Sequence, residues 1–171
     1  MGKEKSEKVD VHGPGYFRLK HSGLYDLHSL LQQATSWLLE MDYIPSKAEH
    51  TESVKSSGKD IKIIWTPFRN VTEYLRFSMT IEFLIFRQID VVVEEKGGKA
   101  KRQQGDLEIR YKSEMVKNYR QTFRGAGKEL ARQTYEKYLI KRELEEYEEK
   151  LRNEGDILLD HFKRVLGSFR R

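Results

Sequence analysis

Apolar residues along the chain follow two different rhythms, and the more regular one dominates the middle. Val71, Leu75, Phe77, Met79, Ile81, Phe83, Ile85, Ile89, Val91 and Val93 all have the same parity. A period-two alternation of this length predicts a strand, since successive side chains of a strand point to opposite faces. After Gly97 and Gly98, Leu107, Ile109 and Tyr111 again share a parity, which predicts the second strand of a long antiparallel hairpin. A two-residue Gly-Gly loop would pair Ile89 with Asp106 and set the two apolar rows on opposite faces. A three-residue loop would pair Ile89 with Leu107 and Ile85 with Tyr111, so the pattern calls for an odd-length loop or a glycine bulge near the tip. The strand exceeds the usual length of about 3–10 residues, so it is expected to bend, with the part beyond Gln88 projecting from the body.

The second rhythm is helical. Leu24, Leu27, Leu30, Leu31, Ala34, Trp37, Leu38 and Met41 recur at three and four, with Ser22 placed as an N-cap and Pro45 stopping the helix near Tyr43. Before it, Tyr16–Lys20 reads as a strand, preceded by a Gly13-Pro14-Gly15 interruption. Residues 47–55 read as a polar strand, Ser56-Ser57-Gly58 as a turn, and Asp60–Phe68 as a strand ended by Pro67. Beyond Tyr111 the pattern predicts a short helix over Glu114–Thr122, a break at Gly125 and Gly127, and a long helix over Glu129–Asn153. A break or kink at Gly155 then precedes a last helix carrying Leu158, Phe162, Val165, Leu166 and Phe169. These elements predict an α+β fold: an antiparallel sheet of four or five strands with one face covered by an N-terminal helix and long C-terminal helices. Residues 1–8 read as a flexible tail and 9–171 as a single domain, its C-terminal helical region starting near 113.

Charge adds a location to this outline. The formal net charge is +5, and residues 96–128 carry ten cations against three carboxylates while the flanking segments are near balance. A localised excess of this kind points to an anionic partner. The candidate contacts are Lys96, Lys99, Lys101 and Arg102 at the hairpin tip and Lys117, Arg120, Arg124 and Lys128 beyond it. Lys117, Arg120 and Arg124 are spaced to share a helix face, with Tyr119 and Phe123 interleaved for stacking on bases. Lysines at a hairpin tip have a second role, protecting an exposed strand edge from unwanted pairing.

The residues offer little catalytic chemistry. The chain has no cysteine, which removes disulfides, thiolate nucleophiles and cysteine-ligated metal sites and favours a reducing, cytoplasmic setting. Its five histidines show no helical metal-ligand spacing, so no metal or cofactor is expected. The Arg124–Lys128 stretch resembles part of a phosphate loop, but Thr122 and Glu129 stand where a glycine and a Ser or Thr belong. The most apolar stretch, 77–93, contains Glu82, Arg87 and Asp90 and is too short for a membrane span.

Several elements together carry a family resemblance: Gly13 and Gly15 ahead of the helix ending in Trp37–Tyr43, the Ile61–Trp65 strand, Gly105–Ile109, and the Tyr135–Tyr147 helix. In these the chain resembles a group of uncharacterised archaeal proteins, departing at Asn118, where an acidic residue is expected before Tyr119. The resemblance implies an archaeal cytosolic α+β protein and supplies no catalytic residue. The functional expectation is a non-enzymatic interaction or structural protein with a protein partner or self-assembly, for example a subunit of a larger cellular or viral assembly. The alternative is sequence-independent binding of RNA or DNA through the basic segment.

Overall fold

The computed structural model describes residues 6–46, 48–123, 125 and 127–167. Its frame is the predicted hairpin, with β6 over Leu75–Glu95 and β7 over Gly98–Lys117. Shorter strands lie in tandem along each outer edge of this pair. β1 (Glu7–Asp10) and β2 (Phe17–Tyr25) both pair with β7, while β4 (Gly58–Trp65) and β5 (Phe68–Asn70) both pair with β6. β3 (Ala48–Lys55) closes the far side against β4. The sheet is antiparallel and has seven strands, not the four or five expected. Two of the additional strands come from interruptions: the Gly13–Gly15 turn separates β1 from β2, and Pro67, which has no N–H to donate, separates β4 from β5. β1 also takes in Glu7 and Lys8, which the sequence assigned to the tail.

One face of the sheet is covered. Phe77, Met79, Ile81, Phe83 and Ile85 of β6, with Leu107, Ile109 and Tyr111 of β7, are fully buried there. They meet Leu30, Ala34, Trp37 and Leu38 of α1 (Leu27–Glu40), and Leu151, Leu158, Phe162 and Leu166 of α3 (Lys141–Gly167). On the opposite face β7 carries ion pairs: Arg110 with Glu108 and Glu82, and Lys112 with Asp10 and Glu114. Alternation with one apolar and one charged row is what a sheet packed on a single side requires.

Three expected elements differ from the structure, each for a tertiary reason. The strand before α1 continues through Tyr25, because Ser22–Tyr25 pair with Gln103–Asp106 of β7, and the N-cap is Asp26, whose carboxylate accepts from Ser29 N at 2.9 Å. The helix expected over Glu114–Thr122 is absent, and the C-terminal helical region opens at Lys128 and not near 113, because β1 and β6 flank residues 114–117 from both sides and take up their backbone groups before the chain turns. Gly155 does not break α3. A Cβ there would sit 2.6 Å from the Tyr111 hydroxyl, so this glycine lets the helix lie directly against the sheet.

The hairpin register reconciles its two halves in an unexpected place. The loop is the two-residue Lys96-Gly97, with Glu95 opposite Gly98, and the odd residue is absorbed by a bulge in which Arg87 and Gln88 face Gly105. Inside the bulge Ile85 pairs with Leu107 and Ile81 with Tyr111, which puts the apolar rows on one face. Glycine is required on both flanks, since a Cβ on Gly105 would lie 2.8 Å from Phe86 O and one on Gly58 would lie 2.7 Å from Gln88 O. Arg87 sits at φ 55°, held by its N–H to Asp60 Oδ1 at 3.0 Å and by an ion pair to Asp106.

The basic segment as a candidate contact site

The candidate cations among the described residues do not form one surface. Lys99 near the tip and Lys117 at the end of β7 are 18 residues apart on one strand, which at about 3.3 Å per residue separates them by up to about 60 Å. Exposed charges so far apart act independently across a Debye length of about 8–10 Å.

At the inner end two of the candidates, Lys117 and Arg120, are neutralised. Lys117 is buried, with Nζ 2.8 Å from Glu136 and 3.4 Å from Glu7. Arg132 bridges the same two carboxylates at 2.8 and 2.6 Å, and these contacts, with Lys117, hold the Glu7 carboxyl below its ordinary range. Arg120 is not on a helix with Lys117 as expected; it lies in the turn after β7, paired with Glu73 and stacked on the Tyr119 ring. Arg76 lies over the Tyr119 ring at 4.5 Å, so that ring already has a cationic partner. Phe123 is not offered to bases either, being packed against Tyr135 and Tyr74. Lys128 opens α2 (Lys128–Thr134), exposed and with no ion pair among the described residues, and Arg124 lies outside those residues.

At the outer end Arg102 is likewise engaged, 2.7 Å from Glu95 and 3.4 Å from Asp26, the residue that caps α1. Lys96, Lys99 and Lys101 are exposed and have no ion pair among the described residues. These three stand on an arm. β4 pairs with β6 only as far as Gln88, and β2 pairs with β7 only as far as Gln103, so beyond those residues the hairpin is two strands wide, with both outer edges bare among the described residues. Ile89 and Val92 are exposed on it, Val92 at 63%. From Ile89 to Arg102 the arm has four cations and three carboxylates, a net charge of +1. Comparison with known proteins adds nothing to this geometry. No family model, curated protein or solved structure matches the chain.

The body holds one arrangement that the sequence did not suggest. Ser113 Oγ lies 3.1 Å from His12 Nδ1, and His12 Nε2 lies 3.5 Å from Asp156, a serine–histidine–aspartate chain in outline. Ser113 is 1% exposed beneath α3, so its hydroxyl has no approach for a substrate. Together with the Arg152 guanidinium on Val11 O at 3.1 Å, the group fastens the β1–β2 turn to α3. A second polar group, Tyr43 and Arg69 on Glu154 at 2.7 Å each, fastens the chain after α1 to α3 and β5. An apolar cavity of about 90 Å³ between α1 and β4, lined by Leu38, Leu39, Tyr43 and Trp65, is small beside the roughly 300 Å³ and more of ligand pockets.

Proposed function

We propose that this is a non-enzymatic interaction protein, and that the outer arm of the β6–β7 hairpin is its contact organ. The observation that carries the reading is the arm itself: two strands beyond the last pairing of β2 and β4, with bare edges, exposed Ile89 and Val92, and nearly balanced charge. Bare edges and mixed apolar and charged side chains suit strand addition by a protein better than phosphate contact. The arm ends in three lysines convenient for amine cross-linking. Incubation with a lysate of the cells that make the protein is expected to give cross-links from Lys96, Lys99 or Lys101 to a partner protein. A shortened chain, in which Val91 joins Arg102 through Asn-Gly, is expected to lose that partner while remaining folded. Failure of the full chain to cross-link to any protein contradicts the reading.

The unpaired state of those three lysines keeps nucleic-acid binding as a second reading. It requires retention of labelled RNA or DNA at low salt, steep loss with added salt, and loss in a Lys96→Gln/Lys99→Gln/Lys101→Gln variant.

A further inference from the structure

Opposite the arm, the helical segment after Gly127 leaves an apolar stripe uncovered. α2 passes at Tyr135 into a π turn, Tyr135–Leu139, before α3 begins. On this stretch Leu130 is 70% exposed, Tyr138 71% and Leu139 73%, while Arg132, Tyr135 and Glu136 face the sheet. In an uninterrupted α-helix Tyr138 would be turned about 80° away from Leu130. The π turn, closed by Ile140 N on Tyr135 O at 3.2 Å, rotates less per residue and keeps Leu130, Thr134 and Tyr138 in one row. Thr134 commits its hydroxyl to Leu130 O at 2.9 Å, so it offers the row its methyl group.

We propose that this face pairs with the same face of a second copy, antiparallel, about a two-fold axis beside Thr134. The argument is self-complementarity at a spacing of eight. Three pairs are centred within one residue of Thr134: Glu129 with Lys137, Leu130 with Tyr138, and Ala131 with Leu139. A two-fold axis at that point lays the first member of each pair on the second member in the other copy, since an isologous contact matches residue i to j and j to i. The central pair buries Leu130 on Tyr138 twice. On one flank Glu129 meets Lys137 twice, and on the other two small-to-large contacts join Ala131 and Leu139. Glu129 already accepts from Arg132, but it remains exposed and has lone pairs for a second cation. The face is a single short helical segment, so the interface is small and the dimer weak, forming at about 0.1 mM and above. The inference deepens the interaction-protein reading, naming a second copy as one partner, and stands on a different surface from the arm.

Sedimentation velocity from about 10 µM to 1 mM tests it, with wild type beside four variants chosen on exposed positions. The wild type is expected to shift from monomer toward dimer, and Leu130→Glu to stay monomeric. Glu129→Lys and Lys137→Glu alone are each expected to weaken association about tenfold, and the two together to restore it. A strict monomer at 1 mM overturns the proposal, as does a dimer indifferent to Leu130→Glu or a double reversal that fails to recover. Vesicles of phosphatidylcholine and phosphatidylserine form a parallel arm: a chain that stays monomeric but binds them through Leu130 assigns the face to lipid and also overturns it. The shortened-arm chain is expected to dimerise like the wild type, so loss of the arm's partner and loss of the dimer are separate results.

Discussion

The same two strands behave differently on either side of Arg87. Inside the bulge, β6 and β7 are flanked on both edges and covered by α1 and α3, and every second side chain is buried. Outside it the alternation continues through Ile89, Val91 and Val93, but with neither flanking strand beyond Gln103 nor a helix to bury it. A period of two therefore reports strand geometry and not burial; burial depends on what the rest of the chain supplies. The bulge marks the border. It shifts the pairing by one residue where the flanking strands end, and it needs Gly58 and Gly105 to fit.

Substitutions are expected to separate the two regions by size of effect. Phe83→Ala, at a fully buried position inside the bulge, is expected to cost about 3–5 kcal/mol in urea unfolding. Removing one partner of the buried Arg69–Glu154 pair by Arg69→Met is expected to cost about 3 kcal/mol, because it leaves the carboxylate without its cation. At the border, Gly105→Ala is expected to cost about 1–3 kcal/mol and to shift the amide resonances of both Arg87 and Gln88.

Tyrosine ionisation at alkaline pH acts on the body. Burial pushes the Tyr25, Tyr43, Tyr74 and Tyr111 phenols above the ordinary tyrosine range, aided for Tyr43 by Glu154 and for Tyr74 by its hydrogen bond to Glu136. A group whose pKa is raised by folding contributes stability that is present below its unfolded pKa and lost above it. The urea midpoint is therefore expected to hold up to about pH 10 and to fall beyond it, by at most about 1.4 kcal/mol per pH unit for each of these groups. No tyrosine lies between Ile89 and Gln104, so tyrosine ionisation is expected to act through the body of the fold. The smallest effect belongs to Val92→Ala, expected to stay within about 0.5 kcal/mol of wild type.

The long strand, the covered face and the projection beyond Gln88 were legible in the sequence because each follows from local periodicity and length. What escaped depended on distant partners. Glu114–Lys117 has helical neighbours in sequence but strand neighbours in space, and Gly155 resembles a helix breaker until Tyr111 is placed against it. The ion partners of the basic segment escaped for the same reason. Its charge excess is visible by counting, whereas Glu7, Glu73 and Glu136, which neutralise Lys117 and Arg120, lie far from it or on another element. Glu95 was the one partner within reach of a sequence argument, since a hairpin tip near Gly97 brings it close to Arg102.

The division of the hairpin into a body that folds and an arm that stands outside the core is tested most directly by urea unfolding of the shortened chain. Val91 and Arg102 are already paired, so an Asn-Gly turn closes the strands there without disturbing Asp26 or Gln103. Stability within about 1 kcal/mol of wild type is the expected result, since the ten residues removed lie outside the core. A loss of several kcal/mol, or a chain that no longer unfolds in one cooperative step, would show that the arm holds the fold together.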